Sequence, residues 1–259
     1  MCLLDYCDCI QNTNTYEEKW SYSNQEKWKS YQNYYSTIRS PINIERNKVI
    51  KSCEKKIKIN YNDNIEGILT NKDLTPYFLP KTTDNFVDFM GKKYILSNYH
   101  IHCSSENTLD NLYYPTEVHF VNIYTNPDTL EKEYIVISIM LFISEKVGLS
   151  IVNLDYDKIK NEGDKIDIFV NLKFLNDLTV NSYYNFLGTL TVPPFYQNFN
   201  WNLFDSQDVH NISLTIQKND FNNLIYYFSN NKANELSPYN ETRYIKDINN
   251  YSVIKKIQN

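Results

Sequence analysis

The spacing of apolar positions divides the chain near Pro41. Residues 1–38 are polar and aromatic, with neither a helical nor a strand period. Beyond Pro41 the pattern is one of short alternating segments. Lys56-Ile-Lys-Ile-Asn-Tyr61 places its apolar side chains on one face, as a half-buried strand does. Further strands are expected at Glu66–Leu69, Phe86–Phe89, Tyr94–His102 and Glu117–Tyr124. Glu133–Ile143 is nearly continuously apolar, the pattern of a strand covered on both faces. Helical spacing is rarer. Leu149, Val152, Leu154 and Ile159 predict a helix ending near Gly163, and Phe221, Leu224, Ile225 and Phe228 predict another. No repeat of solenoid period and no linker interrupts the chain. A strand-rich single domain with a few peripheral helices is expected.

Composition narrows the class of function. Hydrophobic content of 42% and charged content of 22% fit a globular chain, and 3 Trp, 23 Tyr and 13 Phe supply a large core. A net charge of −5 argues against nucleic acid as a partner, because that affinity rests on neutralising phosphates. The cysteines Cys2, Cys7, Cys9, Cys53 and Cys103 are odd in number and lack disulfide-dense spacing, which suits a reducing compartment. Asp5 and Asp8 break the short apolar run at the start, and no stretch reaches the roughly 20 apolar residues of a membrane span. A cytoplasmic protein without signal peptide or transmembrane segment is the expectation.

The chemistry is concentrated in the histidines. Of four, His100, His102 and His119 lie close together in two strand-like segments. Alternate residues of a strand share a face, so His100 and His102 point the same way, as do Glu117 and His119. If the two segments pair antiparallel, three imidazoles converge. Three neutral imidazoles with an open fourth position are the ligand set of a catalytic zinc. Glu117 is placed to fix the tautomer of His119. On these residues alone, half-buried histidines satisfied by their neighbours are an equally good reading.

Other segments add to the pattern. Trp20, Tyr22 and Trp28 precede Ser40-Pro-Ile-Asn-Ile44; Ser105-Glu-Asn-Thr108 follows the first histidine pair; Gly188-Thr-Leu-Thr-Val-Pro-Pro194 precedes Trp201. In this order and spacing, from about Trp20 to the C-terminus, the chain resembles the alpha-class carbonic anhydrases. The resemblance implies a mainly β (α+β) fold: one domain over residues 20–259, behind an N-terminal tail of residues 1–19. A large, mostly antiparallel, twisted central sheet would carry short peripheral helices.

The resemblance also implies roles. His100, His102 and His119 would bind Zn2+, with Asn98 and Glu117 supporting His100 and His119. Thr191 would accept a hydrogen bond from zinc hydroxide, the nucleophile, and pass its own proton to Glu106. Val121, Val136, Leu190, Val192 and Trp201 would wall the carbon dioxide pocket, and Phe199 would narrow it. The reaction implied is reversible hydration of carbon dioxide to bicarbonate and a proton. The family's usual shuttle histidine falls on Asp73, whose pKa of about 3.9 poorly matches a water of pKa about 7, so proton release is expected to be slow. Cys103 takes the place of a family Trp and is expected to be a small buried residue rather than a fourth ligand. Phe195 stands where secreted members often carry a disulfide cysteine.

A second function class shares this fold. Some carbonic-anhydrase-like proteins, among them poxvirus envelope proteins, attach to sulfated glycosaminoglycans. Lys51, Lys55, Lys56 and Lys58 are the residues that would serve such a role here, at a virion or cell surface. The intact histidine triad, the negative charge and the absence of an anchor favour the enzyme. Acylation of Cys2, Cys7 or Cys9 is a weaker third reading.

Overall fold

A computed structural model describes residues 20, 22–31, 33–54, 56–72, 75–230 and 254–258. The N-terminal tail, Lys55 and Asp73 lie outside these described residues. In chain order the strands are β1 (Asn43–Ile44), β2 (Ile50–Ser52), β3 (Lys58–Asn60), β4 (Ile65–Lys72) and β5 (Thr75–Pro80). Then come β6 (Phe86–Phe89), β7 (Lys92–His102), β8 (Thr108–Leu109), β9 (Thr116–Thr125) and β10 (Lys132–Ser144). The last five are β11 (Lys165–Val170), β12 (Tyr183–Gly188), β13 (Phe199–Phe204), β14 (Thr215–Gln217) and β15 (Lys255–Ile257). One α-helix, α1 (Lys218–Asn230), and several 3-10 turns accompany them among the described residues.

The main sheet runs β11-β4-β5-β7-β9-β10-β13-β12-β15-β2, with β3, β6 and β14 attached at its sides. Antiparallel pairings dominate; β13 and β14 join β10 in parallel, and β2 joins β15 in parallel. Every strand expected from alternation is present. β10 shows why a continuous apolar run belongs at the centre of a sheet. Ile135, Ile137, Ile139 and Leu141 enter one core while Val136 and Met140 enter another. The first core also takes Tyr99, Ile101, Val118 and Phe120; the second gathers Ile42, Ile44, Tyr184, Phe186, Phe199 and Trp201.

The central strand β7 contains a register shift. Leu96 pairs with Asn122 and Asn98 with Val121, which leaves Ser97 as an extra residue. Before the shift the even-numbered Tyr94 and Leu96 point into the first core; after it the odd-numbered Tyr99 and Ile101 do. Asn98, His100 and His102 are thereby turned to the opposite face, because strand side chains alternate strictly with position.

One expected element is corrected. The segment carrying Leu149–Ile159 is not a helix but two 3-10 turns, Ser150–Val152 and Tyr156–Ile159. β-Branched Ile151 and Val152 and the turn-favouring Asn153 and Asp155 interrupt helical propagation. Burial of Ile151, Val152, Tyr156 and Ile159 holds the turns against the core instead. α1 forms as expected and buries Phe221, Leu224, Tyr227 and Phe228.

Candidate metal centre

The site is assembled by register. β7 and β9 are antiparallel, with His100 opposite His119 and His102 opposite Glu117. On the far side of β9, Ser138 of β10 stands opposite His119. All three histidines are buried, and one ring nitrogen from each comes within 4.8 Å of the others. Trp201 packs edge-on against His119, ring centroids 4.9 Å apart, and Tyr77 of β5 lies flat on His100 at 4.5 Å.

The surrounding groups decide which nitrogens face inward. His100 Nδ1 is 2.9 Å from Asn98 Oδ1, an acceptor only, so Nδ1 carries the proton and Nε2 the lone pair. His119 Nε2 is 2.8 Å from Glu117 Oε1 and is protonated for the same reason, which leaves Nδ1 free to ligate. His102 Nε2 is buried without a hydrogen-bond partner, 3.3 Å from Glu106 Oε2. An orphaned imidazole nitrogen converging with two others is costly without a ligand and is what a metal would satisfy. The donor set therefore fits zinc.

Glu117 accepts hydrogen bonds on both carboxylate oxygens. The backbone N–H groups of Glu106 and Asn107 donate to its Oε2 at 2.8 and 2.9 Å. Asn107 Nδ2 and Ser138 Oγ donate to its Oε1 at 2.7 and 2.6 Å. Burial pushes its pKa up, but the neighbouring His119 and the hydrogen bonds outweigh that and hold it at about 2. His100 and His102 are both shifted well below the usual imidazole range, first by burial and then by the neighbouring imidazoles. They are neutral at pH 7, the form that binds metal.

A cavity of about 60 Å³ opens beside the histidines, lined by Asn98, His100, His102, Val121, Leu190, Thr191 and Val192 together with Trp20, Thr75 and Tyr77. A larger cleft of about 700 Å³ lies between Asn153–Lys160 and α1, but it shares no lining residue with the histidine cavity. Convergent donors, not volume, mark the centre.

The motif residues meet in space. β1, from the Ser40–Ile44 segment, pairs with β8, from the Ser105–Thr108 segment. Asn107 Oδ1 accepts from the Ile42 N–H at 2.9 Å. The Ser40 N–H donates to Thr189 Oγ1 and the Thr189 N–H to Ser40 Oγ, both at 3.1 Å, while Trp201 Nε1 donates to Thr189 O at 3.2 Å. A Cβ on Gly188 would sit 2.2 Å from Ser40 Oγ and 2.8 Å from the Trp201 ring, so only glycine lets the three segments close.

Of the residues named from sequence, Asn98, His100, His102, Val121, Leu190, Thr191 and Val192 face the cavity, with Glu106, Glu117 and His119 against its histidines. Val136, Phe199 and Trp201 are buried in the second core and do not line the cavity; Phe199 is stacked on Tyr134 at 4.2 Å. Cys103 packs into the first core with Tyr99 and Ile101. Phe195 is buried against Trp28. Lys51 is on β2 and Lys58 on β3, strands that pair with β15 and β6 respectively, and Lys56 is half-buried. No helix among the described residues is long and apolar enough to cross a membrane.

Sequence reasoning did not pick out Asn107, Ser138 or Tyr77. Ser138 did leave a signal, as a lone hydroxyl inside the apolar run of β10, and Asn107 sits within a recognised motif. Tyr77 had none, since its place over His100 depends on the β5–β7 pairing.

Fold and site together place three buried histidines, positioned to hold a metal ion, on the strands of a mainly-β fold. A family model described as eukaryotic-type carbonic anhydrase matches residues 23–257, and the chain belongs to that family. It is 23% identical over 203 residues to the carbonic anhydrase of Neisseria gonorrhoeae, spanning 73% of this chain and 75% of that one. Its fold superposes on the alpha-carbonic anhydrase of Photobacterium profundum with a TM-score of 0.69, at 21% identity, over 92% of this chain and 100% of that one. The Thermovibrio ammonificans alpha-carbonic anhydrase, solved with the inhibitor sulfanilamide, gives 0.71 at 18% identity, over 92% and 99%. At such identities the structural likeness speaks for the fold alone.

Proposed function

We propose that the chain catalyses the reversible hydration of carbon dioxide to bicarbonate and a proton, with zinc held by His100, His102 and His119. The observation that carries this reading is the convergence of three buried imidazoles, two of them oriented from behind by Asn98 and Glu117. Zinc on three histidines lowers the pKa of a bound water toward neutrality and keeps a position open for substrate, carbonic anhydrases being the reference case for that effect.

The chain's own residues do the rest. A threonine hydroxyl has one proton and two lone pairs. Thr191 accepts from the reacting water only if its own proton goes to an acceptor, and the Glu106 carboxylate is the group that would take it. The water is thereby held with a lone pair toward the substrate carbon. Val121, Leu190 and Val192 give carbon dioxide an apolar wall that bicarbonate, being charged, leaves readily. Asp73 is mismatched to a proton released near neutrality, so the step that regenerates the site limits turnover.

Bound metal measured by plasma mass spectrometry, with stopped-flow hydration on the same preparation, tests the reading. About one zinc per chain, with hydration lost in His119→Ala by several orders of magnitude, is the expected result. A chain that holds no zinc and hydrates no carbon dioxide overturns it.

A further inference from the structure

Two aromatic side chains from outside the histidine strands line the cavity beside the histidines. Tyr77, on β5, stacks on the His100 ring with an interplanar angle of 18°. Trp20 reaches the cavity from the N-terminal segment. Its ring meets Trp28 at 5.7 Å and 88°, and Trp28 in turn packs on Phe195 at 5.7 Å. Phe195 lies a few residues beyond Thr191, and Val192 packs against the same aromatic cluster. Asn33 Nδ2 donates to Pro194 O at 3.3 Å, and Ser36 Oγ donates to Gln197 Oε1 at 3.1 Å. The N-terminal segment and the Thr191 loop are therefore fastened to each other at several points, and Trp20 lines the same cavity as Thr191 and Tyr77.

The resulting space is about 60 Å³. A cavity measured this way holds one water at about 10–15 Å³, so about 60 Å³ takes a linear triatomic molecule, whereas an apolar cavity that takes up benzene measures about 150 Å³. Interiors are close-packed and do not yield such a difference without moving a side chain.

We propose that Trp20 and Tyr77 are specificity-determining residues: they form a size filter that confines the centre to substrates and anions of about three or four heavy atoms and keeps substituted benzenes out. This rests on the proposed function, since it takes the histidine centre to be the working site. It assigns to the N-terminal aromatic segment a role in selection by size, distinct from metal binding and from proton transfer.

The test uses the full chain loaded with cobalt(II) in place of zinc, and follows its visible absorption during titration with azide, a linear triatomic anion, and separately with sulfanilamide. The quantity read is the ratio of the two affinities in the wild type, Trp20→Ala, Tyr77→Ala and Tyr77→Phe. The expected result is a ratio that moves toward sulfanilamide by roughly tenfold or more in each alanine variant, and stays at the wild-type value in Tyr77→Phe, which keeps the ring. Trp20 is only half-buried, and removing its ring leaves the Trp28–Phe195 contact in place, so this variant reads the filter even if Tyr77→Ala disturbs His100. A ratio unchanged in Trp20→Ala, in a protein that binds cobalt and azide normally, overturns the filter and leaves the proposed function standing. A chain that takes up no cobalt, or whose spectrum azide does not alter, overturns both.

Discussion

Glu117 shows how much of the centre depends on groups that never touch the metal. It accepts from two backbone N–H groups, an amide and a hydroxyl, and its partner His119 can ligate only through the nitrogen that Glu117 leaves free. Removing one donor leaves the carboxylate charged and buried but less firmly oriented. Ser138→Ala is expected to weaken zinc affinity by up to about 10-fold, the low end of what losing a ligand's own hydrogen-bond partner costs, because Ser138 acts one step further from the metal. Competition against a chelator of known affinity checks this, and an unchanged affinity would show that the Glu106 and Asn107 donors position the carboxylate without Ser138. Part of this arrangement was legible in the sequence. Glu117 and His119 share a face by simple alternation, whereas Ser138 meets them only through the β9–β10 register.

At the scale of elements, β7 is decisive. The extra residue at Ser97 lets one strand bury Tyr94 and Leu96 in the first core and still turn Asn98, His100 and His102 to the cavity. Deleting Ser97 forces one half of the strand to present the wrong face. The expected outcome is either loss of zinc stoichiometry or a collapse of the thermal transition, read by metal analysis and circular dichroism. A deletion variant that keeps both would sink this account of the strand. The expected helix over Leu149–Ile159 failed for a related reason. Four apolar residues at helical spacing reflect contact with the core, and short turns make that contact as well as a helix does, where β-branched and Asx residues oppose propagation.

For the whole molecule, acidity is the revealing variable. Folded His100 and His102 hold a proton less readily than a free imidazole, because burial removes the water that would stabilise the charge. The unfolded chain therefore binds protons that the folded chain refuses, and stability must fall as pH drops below the free imidazole value of about 6.5. Glu117 adds a loss in the same direction at lower pH, from its ordinary value of 4.5 down to about 2. Urea unfolding of the metal-free protein should give a midpoint that is level above neutrality and declines steadily through the acid range; a midpoint that rises on acidification would contradict the burial of the triad. Catalysis carries a second expectation. If Asp73 takes the place of the family's shuttle histidine, as the resemblance implies, hydration should speed up several-fold in imidazole buffer at constant ionic strength, measured by stopped flow. A rate that is already fast and indifferent to buffer would remove the slow step from the mechanism.

What the sequence by itself determined was the strand content, the faces of the individual strands and the identity of the three converging histidines. These are local properties: period-two alternation and the donor chemistry of each side chain are carried by neighbouring residues and survive without knowledge of the partner strands. The ordered motifs added the family, because Ser40, Gly188, Thr189 and Trp201 are constrained by each other's volume and hydrogen bonds. The tertiary structure alone decided which strands are neighbours, and with them the bulge at Ser97, the Ser138 and Asn107 hydrogen bonds to Glu117, the stacking of Tyr77 and the place of Trp20 in the cavity wall. Each of these depends on register between segments far apart in the chain, and register is settled by the packing of whole faces rather than by any residue's own preference.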